Sequence, residues 1–300
     1  MQKSIWTVKL KDRIRKHKNI MLKKLPLLLL IILCSCKAQD KVKGSRNVKT
    51  EQYDLEKFHS IQIKGEFEVG ILKGRRSMIE IEADDNIHDL IMTEVLDGTL
   101  YIKPIKKLSR TKKQELRITF SDTLKSILIG DDVELESLQD LYVNDFKLET
   151  GKDAKAFLTL TASKFNFIHK DDAEAELNVT AQEIVCQLNQ SSKVEALLNA
   201  PDVEIDIYEK ATARIDGETQ IFNLRADQSS KFDGENFSSL KAEVLAQGNS
   251  SSRVNVSDTL NLTASGKSEV EVYNTPVIKL LKFSDEASLS KKEFSKGLFK

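Results

Sequence analysis

The feature that most constrains this chain is a count of nineteen. Ile127, Phe146, Phe165, Ile184, Val203 and Phe222 are spaced 19 residues apart, and Leu240, Leu260 and Ile278 follow at 18, 20 and 18. Each opens a short alternating stretch, such as Ile184, Cys186 and Leu188 or Val203, Ile205 and Ile207. A second column runs Ala156, Ala175, Val194, Ala213 and Phe232, then Ser252 and Val270. Alternation with period two puts one face inward and one outward, as in a half-buried strand. A fixed period near 20 with two strands of about five residues per unit is the mark of a β-solenoid. With coils stacked about 4.8 Å apart, roughly eight of them make a rod of about 40 Å. One coil cannot bury its own inner face, so its neighbours must.

The same count explains why "SSKVEA" at Ser191 returns as "SSKFDG" at Ser229, two coils later. The other occupants of that corner read Asp153-Ala154-Lys155, Asp172-Ala173-Glu174, Lys210-Ala211-Thr212, Gly248-Asn249-Ser250 and Lys267-Ser268-Glu269. Small and polar residues suit a sharp turn beneath a stacked neighbour. The competing architecture, an ordinary β-sandwich, calls for tight hairpin signals at irregular spacing, and the chain contains no Asn-Gly pair.

Residues 51–125 read differently. "SIQIKGEFEVGILKG" gives two alternating strands, "SMIEIEADDNIHDLI" a strand and then a helical turn, and "DGTLYIKP" and "ELRITF" one strand each. This strand-rich part is expected to cap or continue a solenoid of coils over 126–291, with a basic tail at 292–300.

The N-terminus points to export. Nine Lys and Arg lie in the first 24 residues against one acid, Asp12, and an apolar run from Leu25 to Leu33 follows. A helical span needs roughly 20 apolar residues. A basic segment before so short a run reads as a secretory signal. "LCSC" resembles a bacterial lipobox, which makes residues 1–36 a lipoprotein signal peptide and Cys36 the lipidated residue, with Cys34 as the alternative. Met21 offers a second start, so translation of residues 1–20 is left open. Residues 37–50 are polar and suit a flexible tether. No acidic run follows Cys36, which favours an outer-membrane lipoprotein facing the periplasm over one displayed on the surface.

The neutral formal charge hides an asymmetry. Taking the nine basic residues from 46 leaves 37, and taking Asp12 from 46 leaves 45 acids, a net of −8 for the remainder. An acidic body repels a phosphate backbone, so nucleic acid is not expected as a partner. Apart from Cys34 and Cys36 only Cys186 remains, which has no partner for an internal disulfide.

"FHSIQIKGEFEVGILKG" (58–74), "IEIEADDNIHDLI" (79–91), "TEVLDGTLYIKP" (93–104) and the closing "SGKSEVEVYNTPVIKLLKFSDEASLSK" (265–291) resemble the head GIN domain family. That family is described as putative auto-transporter adhesin and is found in Bacteroidota lipoproteins. The resemblance covers roughly 48–291 and implies a right-handed, largely parallel β-solenoid. The family's corners are rich in Gly-Ser-Gly, whereas this chain has "SSK", "KDD" and "EKA", and Arg46 stands where a glycine is usual. The family brings no catalytic residues to carry over.

A β-helix can also carry a polysaccharide lyase or hydrolase, so clustered carboxylates matter. Asp84-Asp85, Asp131-Asp132 and Asp171-Asp172 are adjacent pairs. The spacing stacks Glu134, Asp153 and Asp172 in one column, where they would either hold a cation such as Ca²⁺ or stand as solvated corner residues. The latter is favoured by Lys152, Lys155 and Lys170 nearby, and no metal or other cofactor is expected. His17, His59, His88 and His169 lack metal-ligand spacing, and the last three read as exposed polar residues. Cys186 falls at an inward position, where a thiol behaves as a small, inert hydrophobe. "SDTL" occurs at 121–124 and 257–260, and Asp-Thr-aliphatic is similar to the O-glycosylation sequon of Bacteroidota envelope proteins. Thr123 and Thr259 are therefore candidate glycan sites; the alternative is two strand starts.

The leading expectation is a non-enzymatic, lipid-anchored envelope protein that offers a solenoid face to an unidentified protein or glycan. The alternatives are a carbohydrate-active enzyme on the same scaffold and an accessory protein in envelope stress signalling.

Overall fold

Alternating aliphatic and aromatic residues bury one side of nearly every strand between Ser60 and Tyr273, and those sides meet in one continuous hydrophobic core. A computed structural model describes residues 41–294 of the chain. Among the described residues there is no α-helix, and the single helical turn is the 3-10 segment His88–Leu90. The expected signal peptide, with Cys34 and Cys36, and the last six residues of the tail lie outside the described residues.

The architecture is a parallel β-solenoid of about nine coils with ~19 residues per coil. On one wall Phe146, Phe165, Ile184, Val203 and Phe222 sit on adjacent parallel strands in register. On the other, Ala156, Ala175, Val194, Ala213, Phe232, Ser252 and Val270 do the same.

The register also corrects the ladder at both ends. Ala242, not Leu240, continues the column above Phe222, and Leu240 is exposed. That coil holds an extra residue, taken up in a bulge, and the turn below fixes the register more firmly than side-chain size does. At the other end Ile127 pairs with Leu148 rather than Phe146, because its coil is two residues longer. The two-strand unit also changes along the rod. Up to Leu188 the strands of each coil are separate, two per coil from Asp145 on, but from Lys193 on four continuous strands of 14–16 residues run through the second corner unbroken.

The remaining corner is a true turn, and it stacks residue over residue. Asp131, Lys152, Asp171, Gln190, Glu209, Gln228, Gly248, Gly266 and Asp285 all have positive φ. From the turn at Gln190 onward, the N–H after each positive-φ residue donates to the carbonyl one coil earlier, as in Ser191 to Asp171 and Lys210 to Gln190. Left-handed backbone costs an L-residue about 1–2 kcal/mol, which glycine avoids. Some non-glycine occupants recover part of that through their side chains. Asp171 Oδ2 accepts from the Lys152 N–H at 3.0 Å, and Gln190 Oε1 accepts from the Asp171 N–H at 2.7 Å. Glu209 (φ 59°) makes no such bond. Glu209→Gly is therefore expected to raise stability by about 0.5–1 kcal/mol, while Gln190→Gly gains nothing, as read by urea denaturation of each variant.

Just past the turn, Ala154, Ala173, Ser192, Ala211, Ser230, Ser250 and Ser268 form an inward column with essentially no exposure. This is the physical content of the "SSK" repeat. The second serine is the inward residue of its turn and lies buried beneath the next coil.

The N-terminal part both continues and closes the rod. Strands Ser60–Lys64 and Glu68–Lys73 pair in parallel with Ser126–Gly130 and Glu134–Ser137 on one side. On the other side they pair with Thr99–Pro104 and Gln114–Phe120. The pairing then turns antiparallel. Ile91–Leu96 covers Thr99–Pro104, Met78–Asp84 covers Gln114–Phe120, and Val48–Asp54 lies outermost on Met78–Asp84. Part of the expected tether is thus ordered, since Lys41–Lys43 and Val48–Asp54 are strands.

Candidate binding surfaces

The acidic pairs separate into different roles. Asp84 is fully buried and accepts backbone N–H bonds from Arg46 at 2.8 Å and Lys112 at 3.0 Å, with Lys113 at 3.3 Å. It fastens two loops across the closed end of the rod. Arg46 has φ 69° beside it, which is why glycine would suit that position. Asp85 faces outward and accepts from the Asn47 side chain at 2.8 Å and from the Ser45 hydroxyl. That Ser45 bond, followed by the one from Asn47, holds the Asp85 carboxyl below its usual range.

Of the expected column, Asp153 and Asp172 keep equivalent positions in adjacent coils, but Glu134 does not join them. Glu134 pairs with Lys155, because two extra residues in that coil shift the register. Asp153 and Asp172 are exposed turn residues, and Asp131 is paired with Lys152 at 2.5 Å. Among the described residues no group of three or more His, Cys, Asp and Glu is placed to hold a metal ion.

Two histidines are not exposed as expected. His169 is fully buried and His88 nearly so. His169 Nε2 donates to the Lys193 carbonyl at 3.0 Å, and Nδ1 accepts from the Thr150 hydroxyl. Burial pushes its pKa down to about 4, so the ring is neutral. His88 Nε2 lies 3.1 Å from the Lys49 carbonyl and 3.2 Å from that of Ala83. His59 is half-buried, with Nδ1 3.0 Å from the Ser60 hydroxyl. Cys186 is buried between Phe167 and Ile205, and burial pushes its thiol up to about 12. It is a core residue, not a nucleophile. Thr123 and Thr259 are both half-buried, and each "SDTL" ends in a leucine with no exposure, Leu124 or Leu260. Thr259 lies inside a strand, paired with Lys241 and Val277.

Stacking does create one concentrated surface. Outward residues Glu136, Phe157, Glu176, Glu195 and Arg214 form one column, and Thr159, Asn178, Leu197 and Asp216 form the next. Together they line an open groove of about 710 Å³. Four carboxylates face one guanidinium there, over a floor that includes Phe157 and the exposed Leu197. Phe157, Glu176, Glu195 and Arg214 are 19 residues apart, so the same count that orders the core held this signal on its outward face. A second groove of about 560 Å³ lies along the other corner, lined by Thr180, Gln182, Asn199, Glu218, Gln220 and Ser257 among others.

These walls, turns and outward columns define a parallel β-solenoid repeat protein with an antiparallel cap. The family model described as "Putative auto-transporter adhesin, head GIN domain" matches residues 57–276, and the chain belongs to that family. Among solved structures, the chain is similar to a "putative adhesin" from Parabacteroides distasonis ATCC 8503, with a TM-score of 0.67 at 16% identity, over 84% of this chain and 100% of that one. A "putative adhesin" from Parabacteroides merdae ATCC 43184 gives 0.61 at 15% identity, over 84% and 99%. A "putative lipid binding protein" from Parabacteroides distasonis ATCC 8503 gives 0.60 at 16% identity, over 84% and 100%. At these identities the likeness concerns the fold. No curated protein matches the chain.

Proposed function

We propose that this chain is a non-enzymatic, lipid-anchored protein of the bacterial envelope that binds a cation-bearing protein or glycan along its acidic groove. The observation that carries the reading is the groove itself, where successive coils bring Glu136, Glu176, Glu195 and Asp216 around Phe157 and Leu197. A rigid wall of stacked strands presents these groups at fixed spacing, so little ordering cost falls on binding. Charge complementarity sets orientation and speeds encounter. The adhesin description of the family agrees with a binding role.

Chitosan oligosaccharide and oligolysine are suitable cationic probes for the glycan and protein cases. Glu176 and Glu195 are exposed, so Glu176→Gln with Glu195→Gln leaves the core intact. The double variant is expected to weaken the bound probe at least tenfold in a titration at low salt. Unchanged affinity, or release of reducing ends from a polysaccharide by the unaltered protein, would overturn the reading.

The anchor is Cys36, and the location is the outer membrane, facing the periplasm. What supports this is the basic segment, the short apolar run and the lipobox ahead of a folded body that starts near Lys41. Cys36→Ala is expected to move the protein from the membrane to the soluble fraction, and protease added to intact cells should leave the unaltered protein uncut. Retention of the variant in the membrane, or cleavage on intact cells, would contradict the assignment.

A further inference from the structure

The two ends of the rod are built differently. The first is closed by antiparallel strands, while at the other the last coil, Val277–Phe283 and Ser288–Lys291, has no strand beyond it among the described residues. All seven residues of Val277–Phe283 are exposed. The cost is visible in the core columns. Leu260 and Leu262 are 0% exposed, yet Ile278 and Leu280, which continue their columns, are 41% and 53% exposed. Leu281, the bulged residue where the register slips, is 63% exposed.

Three properties of this edge select what can cover it. Its free backbone N–H and C=O groups need a strand to pair with, which neither a sugar nor a hydrocarbon surface supplies. Its open core columns need aliphatic side chains at alternate positions. Its outward positions carry Lys279 and Lys282, which form no ion pair among the described residues and call for acids between the aliphatics. A second copy docking by the same end would set these lysines against their own kind.

The chain already contains a strand of the required kind. Asp202–Ile207 reads Asp-Val-Glu-Ile-Asp-Ile and occupies the same columns four coils earlier. There Val203 and Ile205 lie in the columns of Ile278 and Leu280, and Glu204 and Asp206 in those of Lys279 and Lys282. We propose that the open end of the solenoid takes an extended segment of another polypeptide, alternating acidic and aliphatic residues, as an added strand on Val277–Leu280. This site is separate from the acidic groove and does not depend on it.

The test uses the full chain and two labelled hexapeptides, Asp-Val-Glu-Ile-Asp-Ile and Lys-Val-Lys-Ile-Lys-Ile, followed by fluorescence anisotropy. The acidic peptide is expected to bind at least tenfold more tightly than the basic one. Lys279→Glu with Lys282→Glu, both on the exposed strand, should reverse that order. The proposal fails if neither peptide binds, if both bind equally, or if the double variant keeps the original preference. It fails also if the acidic peptide binds only to a variant ending at Phe294, which would make residues 295–300 the occupant. A mass that doubles with concentration and returns to one chain in the Leu280→Lys variant would make a second copy the occupant and equally overturn it.

Discussion

Phe165→Ala is expected to destabilise the fold by about 3–5 kcal/mol, the range for removing a fully buried aromatic ring. Phe165 has no exposure and stands in the middle of an aromatic file. Its ring lies 6.1 Å from Phe146 and 5.9 Å from Phe167, both near-parallel, and Phe167 lies 4.9 Å from His169. The strands on either side are locked into the ladder at their fixed spacing, so the walls cannot close over the missing ring. The vacancy persists and its lining loses contacts outright. In a stack whose stability is carried by neighbouring coils, the damage should also be local. Amides of 145–188 should exchange faster than those of 212–264. A urea midpoint that corresponds to a loss below about 1 kcal/mol would contradict this packing.

Between pH 6.5 and 4 the protein is expected to lose about 3 kcal/mol of stability through His169 alone. In the unfolded chain this histidine titrates near 6.5, whereas in the fold burial holds it at about 4, against the weaker opposing pull of the Lys193 and Ala173 carbonyls and Glu174. Below pH 6.5 the unfolded state therefore binds a proton that the folded state refuses, and stability falls as pH falls until the folded value is reached. At and above neutrality the contribution is complete. Glu149, held low first by its bond from Lys170, adds a loss of the same sign at more acidic pH. His169→Leu places at this position the residue that Leu188 already provides one coil on. It should flatten the slope of unfolding free energy between pH 6.5 and 4. A slope equal to that of the unaltered protein would show that the imidazole is not the group that titrates.

The period carried most of the fold because a solenoid repeats its contacts. Wherever the inward residues were large and 19 apart, as at Phe165, Ile184 and Val203, sequence and register agree. Sequence and register disagree where register and side-chain size part company. Leu240 is larger than Ala242, but the stacked turn at Gln228 and Gly248 fixes the coil, and the bulge discards the leucine to solvent. Glu134 leaves its column for the same reason, in a coil two residues longer than the 19-residue unit. His169 looked polar and exposed, yet it sits in a core column between Thr150 and Leu188, its two nitrogens satisfied by a hydroxyl and a carbonyl from neighbouring coils.

The candidate surfaces were harder to see. The acidic groove draws Glu136 and Asp216 from outside the 19-residue file that holds Glu176 and Glu195, so only stacking shows them converging. At the open end, Ile278 and Leu280 have the same alternation as Leu260 and Leu262, and nothing local to the sequence says that the stack stops there.

That residues 19 apart lie directly over one another is the claim on which both surfaces depend, and distance measurement tests it most directly. Spin labels on cysteines replacing Glu176 and, in turn, Asp233, Arg253 and Glu271 would sit three, four and five coils apart in a single outward column. The stack predicts separations that grow by about 4.8 Å at each step, to roughly 24 Å for the last pair. Distances that do not rise in equal steps would mean that the chain does not wind as a solenoid.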